Sequence, residues 1–469
     1  MPEMILPGTY VEVRAEGLIS AGRVSTGNIG IVGTATKGTV DNVYLISSLA
    51  EAKAIFGESD EWINGNNNEL TLIRALDLIY KNGGRTIYVV RTAKDKVFAK
   101  ASYELKQGTA ALLALEAASP GTWGNDIKIA VSSLKSETSV PAKVKVFLSY
   151  GSVEESYETK DVADLAQQIN ARSTLVTAAP PTTPDQKKPP DEVATTAFTK
   201  GNDGAEATAE DYTRSLTLLE NEDVNIVVLA GQGMTSTGKA MATLLEGHLK
   251  TTAQIKRERI GIIGSGFEPK DELDKIAAHT LNNDRLIFTA PGVVVTANGK
   301  ESRLPGSYLA AALAGLISSL PVQASPTNKS LAIEGVTTTF NSSQLEKLTQ
   351  SRVCAVEKRN GFSIVKGITT DNESWKQITT RRIVDYAIYG VRSGCDPYIG
   401  KLNNERVRGA MKATLDGFLT RMVENEALVS YQLEVSATRA QEVAGEAMVT
   451  MTLMPTFSID FIKVTMYLS

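Results

Sequence analysis

Apolar residues along this chain recur with period two in some stretches and with helical period in others, and the switches between the two mark its elements. Ile29-Gly-Ile-Val-Gly-Thr-Ala and Val43-Tyr-Leu-Ile-Ser read as short buried strands. Ser48 and Glu51 fit a capping box and Gly57 a helix stop, which predicts a helix over 48–57. From Glu69, residues Leu72, Ala75, Leu76 and Ile79 fall on one stripe, and Gly83-Gly84 ends the helix they define. Thr86-Ile-Tyr-Val-Val-Arg91 follows as a strand, so residues 26–95 form a compact α/β segment.

The texture then changes. Residues 96–200 read as β, with strands over Ile127–Val131 and Lys143–Tyr150. Residues 177–200 are rich in Pro, Thr and Lys, and the pairs Pro180-Pro181 and Pro189-Pro190 predict an exposed loop. This stretch is expected to be an inserted β domain. From 201 the α/β rhythm returns, with strands at 224–230, 259–264 and 286–290 between helices at 211–220, 239–251 and 270–279. Such alternation predicts a largely parallel sheet covered by helices. The small-residue helix 307–320 suits close packing in a core or between subunits. Beyond it come a hairpin around Arg359-Asn360-Gly361, a helix over 375–390 and a helix over 404–425. The last of these carries Val407, Met411, Leu415, Leu419 and Met422 on an apolar stripe and Arg406, Arg408, Lys412 and Arg421 on its other face, a charge stripe that ordinarily means a solvated face. Strands at 431–435 and 447–453 precede the C-terminal stretch.

The two ends carry period-two patterns of their own. Phe457, Ile459 and Phe461 alternate with Ser458 and Asp460. The phase then slips by one, and Ile462, Val464, Met466 and Leu468 alternate with Lys463, Thr465 and Tyr467. This predicts a strand over 455–469 with a bulge at Phe461–Ile462. Thr9, Tyr10, Val11 and Val13 predict another after Pro7-Gly8, followed by a Gly- and Ser-rich joint over 15–26. Terminal segments fray unless something ties them down. These strands either close an ordinary sheet within the subunit, pair with each other, or add to neighbouring copies.

Composition narrows the class. At 469 residues the chain needs more than one core. Hydrophobic content of 42%, charged content of 22% and a net charge of -4 describe a soluble globular protein with no general nucleic-acid or anionic-membrane footprint. Cys354 and Cys395 are far apart and have no metal-ligand spacing, so they read as apolar thiols in a reducing compartment. The N-terminal residues show no signal-peptide pattern, and no apolar run reaches membrane-spanning length.

Candidate chemistry is thin. Gly233-Met-Thr-Ser-Thr-Gly238-Lys239 fits a phosphate-loop spacing between a strand and a helix. Ala240, however, stands where a magnesium-holding hydroxyl is needed, and no second metal-holding acid follows a strand. A Gly-rich strand-to-helix turn is the preferred reading, with a degenerate phosphate-loop-like nucleotide-binding α/β enzyme as the alternative. Ser265 in IIGSGF lacks the nucleophile-elbow pattern, and the two histidines, His248 and His279, sit in helical patterns as surface or satisfied core residues. Neither a catalytic residue nor a metal site is assigned.

The order of parts resembles the contractile tail sheath proteins of bacteriophages, R-type bacteriocins and related injection systems. The resemblance is carried by PGTYVEV near the start, LIYKNGGRTIYVVR, PGTWGNDIKIAV over 120–131, and DRLIFTAPGVVVTANGKESRLPGSYLAAALAGLISSLPVQASPTNKSLAIEGV. It continues in SIVKGITTDNESWKQITTRRIVDY, YIGKLNN and the terminal stretch. Residues 177–200 and 320–340 depart from the family pattern. The resemblance implies a non-enzymatic structural protein with no cofactor. Its fold would be α/β and α+β and multidomain: an α/β sheath core, an inserted outer β-sandwich-like domain, and extended N- and C-terminal β-strand arms. The implied segments are an N-terminal arm and joint (1–25), an α/β core segment (26–95) and the outer β domain (96–200). An α/β domain (201–340), an inner tube-facing domain (341–455) and a C-terminal arm (456–469) follow. Subunits of this family stack as hexameric rings around a tail tube and contract from a metastable extended state, which drives the tube through a target envelope. The partners implied are the subunit itself, the tail tube protein, and baseplate and tail terminator proteins, without direct nucleic-acid contact or stable membrane insertion. The implied location is a virion tail or equivalent particle assembled in the bacterial cytoplasm. Linkage falls to Thr9, Tyr10, Val11, Val13, Phe457, Ile459, Phe461, Ile462, Val464, Met466 and Leu468, while joints at 15–26 and 436–446 bend. Arg406, Arg408 and Lys412 are the expected tube-facing residues.

Overall fold

In the computed structural model, residues 25–62, 70–134, 143–179, 187–234, 240–266, 273–297 and 299–467 are described. They separate into two compact units. One comprises Gly27–Ser319 and Pro326–Asn372, the other 25–26, Leu320–Ser325 and 373–467.

The larger unit begins with β1 (Ile29–Gly33), β2 (Val43–Ile46), α1 (Leu49–Phe56), α2 (Leu72–Lys81) and β3 (Ile87–Arg91). The predicted caps of α1 are present: the Ser48 side chain accepts from the Glu51 N–H, and Gly57 closes the helix at φ 83°. The Glu51 carboxylate reaches the Ser47 N–H rather than that of Ser48, so the box is displaced by one residue. Next come β4 (Ser102–Gln107), β5 (Ala110–Ala117), β6 (Lys128–Leu134), β7 (Lys143–Tyr150), β8 (Val153–Thr159), α3 (Val162–Arg172), β9 (Val176–Ala178) and β10 (Val193–Ala197). The α/β rhythm resumes with α4 (Ala209–Leu218), β11 (Ile226–Gly233), α5 (Ala240–Gln254), β12 (Ile260–Gly264), α6 (Leu273–Ala277) and β13 (Leu286–Ala290). Then follow β14 (Val293–Ala297), β15 (Lys300–Leu304), α7 (Gly306–Ser319), β16 (Ser330–Leu331), β17 (Gly335–Val336), α8 (Ser342–Gln350), β18 (Cys354–Arg359) and β19 (Gly361–Ile364).

Nine strands form one sheet in the order β16-β19-β18-β13-β12-β11-β1-β3-β2. From β18 to β3 the neighbours are parallel, and the flanking strands are antiparallel. β1, β12 and β13 are buried at every position, because helices cover both faces of a parallel sheet. One face packs Val32, Leu229, Ile263 and Phe288 against Leu216 of α4, Leu245 and Leu249 of α5, Ile276 of α6 and Leu348 of α8. α2 and α7 lie on the strands from the other side. The small residues of α7 are explained by this position. A Cβ on Gly315 would stand 2.4 Å from the Ile79 carbonyl of α2, so the two helices approach with backbone nearly touching. The sheet also takes in the 353–364 hairpin, which the sequence reading assigned to the segment 341–455.

Residues 101–198 have a core of their own. The sheets β10-β6-β7-β8 and β4-β5-β9, with α3, share one cluster that includes Leu105, Leu115, Trp123, Ile129, Val146, Leu165, Ile169 and Phe198. Trp123 meets Tyr150 edge to face at 5.2 Å, and Lys37 lies over both rings. Arg91, at the end of β3 and without exposure, ties this region to the sheet. It donates to the carbonyls of Gly38 and Pro120 at 2.6 Å and of Asp203 at 3.1 Å.

The smaller unit holds α9 (Ile378–Cys395), α10 (Glu405–Glu424), β20 (Leu428–Ser436), α11 (Arg439–Ala444) and β21 (Met448–Pro455). Ile383 and Ala387 of α9 join Phe418, Leu419 and Met422 of α10 in one cluster. A Cβ on Gly390 would fall 2.0 Å from the Phe418 ring, so glycine lets that ring seat on α9. Two expectations change here. The joint expected over 436–446 contains α11, capped by a reciprocal Thr438–Gln441 box and closed by Gly445 at φ 77°. Of the strand expected over 455–469, residues 456–467 are not in a strand: among the described residues none pairs with them in a ladder.

Candidate assembly site

β20 and β21 form a two-stranded antiparallel sheet running from the Leu428–Pro455 pair to the Ser436–Met448 pair. Tyr431, Leu433, Val449 and Leu453 are half-buried, packed against α9 and α10, while Gln432, Glu434, Thr450 and Thr452 are exposed on the opposite face. Among the described residues no third strand adds to either edge. A two-stranded sheet is marginal alone, and its unpaired N–H and C=O groups are templates for further strands.

The chain after β21 supplies the matching half of this problem. The Thr456 N–H donates to the Ala427 carbonyl, after which the apolar side chains are exposed. Phe457 is 63% exposed, Ile459 and Phe461 79%, Ile462 81%, Val464 75% and Met466 84%. A run of large apolar side chains this exposed marks an interaction surface rather than ordinary surface composition. Thr9, Tyr10, Val11, Val13 and Leu468 lie outside the described residues.

The basic residues of α10 do not share one face. At about 100° per residue, Arg406 and Arg408 project about 160° apart around the helix. Arg406 and Lys412 are exposed. Arg408 instead bonds Asn403 at 2.8 Å and pairs with Glu442 of α11 at 3.0 Å, its side chain only 13% exposed. It is a brace between α10 and α11, which the sequence reading missed because it left 436–446 without a helix.

The candidate catalytic groups are built into the core. His279, just past α6, donates from Nε2 to the Ser351 carbonyl, accepts at Nδ1 from the Leu281 N–H, and lies against Phe288. The Nε2 of His248 lies 3.4 Å from the Arg259 guanidinium, so it accepts there. Burial holds both imidazoles neutral: His248 is pushed down to about 3, with Arg259 adding to the effect, and His279 to about 4. The unfolded chain binds these protons near pH 6.5, so stability is full above that pH and falls as pH drops toward 4. Between pH 6.5 and 5 each histidine is expected to remove about 2 kcal/mol. Urea midpoints measured at pH 7 and 5 check this; H248Q and H279Q should each flatten the dependence by one proton.

The Ser265 hydroxyl is buried against the start of α7, where a Cβ on Gly306 would meet it at 2.3 Å. The carboxyl end of β12 is closed likewise, since a Cβ on Gly264 would stand 2.0 Å from the Gly306 carbonyl. Gly233 ends β11 and Ala240 begins α5, but residues 235–239 between them lie outside the described residues. Cys354 is buried, its thiol raised to about 12 by desolvation, and Cys395 is half-buried; both are free. Among the described residues no cluster of His, Cys, Asp or Glu could hold a metal, and no helix is long and apolar enough to cross a membrane. A cleft of about 530 Å³ between α2 and the β14–β15 hairpin is lined by charges that neutralise one another, Arg74 with Asp60, Lys81 with Asp77 and Lys300 with Glu61.

A two-stranded sheet with open edges lies beside an exposed apolar segment in the smaller unit. Comparison with known proteins gives the family. Residues 205–370 match the phage tail sheath protein central domain and residues 370–469 the phage tail sheath C-terminal domain, together more than half of the chain. The chain is similar to a putative tail sheath protein of Enterococcus phage phiEF24C, 26% identical over 313 residues, which are 64% of this chain and 52% of that protein. It thus spans about half the length of that relative. The sheath tail protein of Desulfitobacterium hafniense shares the fold at a TM-score of 0.66 and 16% identity, with 96% of this chain and 100% of that one covered. The helical sheath of the anti-feeding prophage in its contracted state shares it at 0.54 and 14%, with 99% of each covered. The chain belongs to the phage tail sheath family.

Proposed function

We propose that this subunit polymerises as stacked hexameric rings around a tail tube, that its terminal segments link neighbours by strand exchange, and that the sleeve contracts from a metastable extended state. The observation that carries this reading is a two-stranded sheet with open edges, β20–β21, beside an exposed apolar segment, 457–467, that pairs with no strand among the described residues. Strand addition satisfies both at once: main-chain bonds complete the ladder, and alternate side chains cover the apolar faces of α9 and α10. Such links can persist while the remainder of each subunit repacks, and no nucleotide is needed for the stroke. The inserted region 96–200 is placed on the outside of the sleeve and the unit with α10 toward the tube. The tube, baseplate and terminator proteins are its partners, and the assembled particle is its location.

Electron microscopy of the purified subunit with the tube protein tests this reading. Sleeves of regular diameter on the tubes are expected. Bare tubes beside discrete subunits at high concentration would overturn it. In the same assay R406E with K412E is expected to lower occupancy of the tubes several-fold. Arg408 is left intact because its reversal would break the brace to Glu442.

A further inference from the structure

α9 opens with Gln377 at its N-cap and carries Arg382 five residues later. Arg382 is 6% exposed, yet among the described residues no carboxylate is its partner. It donates from Nη2 to the carbonyls of Thr26 at 3.1 Å and Leu320 at 3.0 Å, and from Nη1 to that of Pro321 at 3.3 Å. A guanidinium buried against neutral acceptors alone is costly, and helix packing does not require it: Ile383 beside it already supplies the apolar contact. What it accomplishes is to hold two segments far apart in sequence. One of them ends at Thr26, where residues 1–24, which carry the strand pattern Thr9–Val13, join the described chain.

The root of the other terminal segment is held at the same helix end. The Oε1 of Gln377 accepts from the Ser458 N–H at 3.4 Å, and its Nε2 donates to Asp460 at 3.3 Å. Thus Thr26, at the base of the N-terminal segment, and Ser458 and Asp460, at the base of the C-terminal one, are bonded to side chains within six residues of α9.

We propose that Arg382 is the positioning residue for the N-terminal arm. It fixes the arm's root on the start of α9, so that both arms leave the subunit from one rigid point. The proposal rests on the strand-exchange reading above. It deepens that reading by naming what keeps the two linkers in a fixed relation: a neighbour held by both arms is then held at a defined spacing and orientation rather than on two independent tethers.

The test compares wild type with R382M, R382K and I383V, the last as a control for loss of packing in the same helix. Hydrogen exchange in peptides covering 24–28 and 320–325 is read against peptides from α10, and sleeve yield on tubes is read by electron microscopy. R382M is expected to raise exchange in both peptides at least tenfold with α10 unchanged, and to lower sleeve yield at least tenfold. R382K, which keeps the charge but reaches fewer carbonyls, should fall between, and I383V should match wild type in both readouts. If R382M does not fold, R382K against I383V carries the same comparison. The proposal is overturned if R382M leaves exchange at 24–28 unchanged, or loosens it while sleeves form at wild-type yield. The two readings fail separately. If the chain ending at Thr456 also assembles normally, strand exchange itself is wrong. If that truncation blocks assembly and R382M does not, only the role of Arg382 falls.

Discussion

Removing residues 457–469 is expected to abolish polymerisation and to leave a folded, monomeric subunit. Seven large apolar side chains in this stretch, from Phe457 to Tyr467, are more than 60% exposed in the single chain. Burying each against a neighbour is worth about 1.5–3 kcal/mol, so roughly 10–20 kcal/mol of gross stabilisation per subunit resides here. Ordering the backbone costs about 1–2 kcal/mol per residue, which offsets most of that gain. The balance is therefore fine enough that partial loss also matters: F461D with I462D should act like the truncation. The folded subunit hardly uses these side chains, so its melting temperature should change by no more than about 2 °C. Sedimentation and electron microscopy read the polymer, and a thermal melt reads the fold. Normal sleeves from the shortened chain would sink strand exchange as the linkage.

R91M is expected to cost about 3–5 kcal/mol of stability, the largest effect of any single substitution considered. Three buried carbonyls, those of Gly38, Pro120 and Asp203, would each lose a donor, at about 1–3 kcal/mol apiece. Relief of the buried charge returns part of this, since desolvation already pushes the Arg91 pKa down to about 10. The acceptors lie between β5 and β6 (Pro120), just past the 96–200 region (Asp203) and in the turn after β1 (Gly38), so the variant should also loosen that region relative to the sheet. Urea unfolding measures the first effect and hydrogen exchange around Pro120 and Asp203 the second. R91K, reaching fewer acceptors, should recover only part of the loss. A cost below about 1 kcal/mol would mean that water replaces the guanidinium.

What sequence revealed and concealed follows from the range of the interactions involved. Local signals carried the α/β core: the Ser48 cap, the Gly57 stop, the stripe of α2 and the unbroken apolar runs of β1, β12 and β13 each matched their elements within a few residues. α3 was missed although Asp161 caps it through the Asp164 N–H, because the surrounding strands set the expected period. α11 was missed because its reciprocal Thr438–Gln441 cap sits on six residues with no buried stripe. The sequence reading assigned no role to Arg91 or Arg382, because nothing nearby in sequence shows that they are buried among distant carbonyls. The C-terminal alternation predicted a strand, but a strand exists only with a partner, and none of the described residues pairs with 456–467.

The buried arginines share one property with a consequence beyond stability. Arg91, Arg259 and Arg382 all donate to main-chain oxygens: Arg259 takes those of Leu219, Glu220 and Glu222 just past α4, beside the His248 ring. Every residue presents a carbonyl, so the accepting side of such a clasp survives replacement of the side chain there. Only the arginine must be retained, and surrounding loops are free to diverge. A carbonyl does not titrate, and buried contacts are little screened by salt. The clasps of Arg91 and Arg382 at loop bases therefore depend little on the salt or acidity of the surroundings.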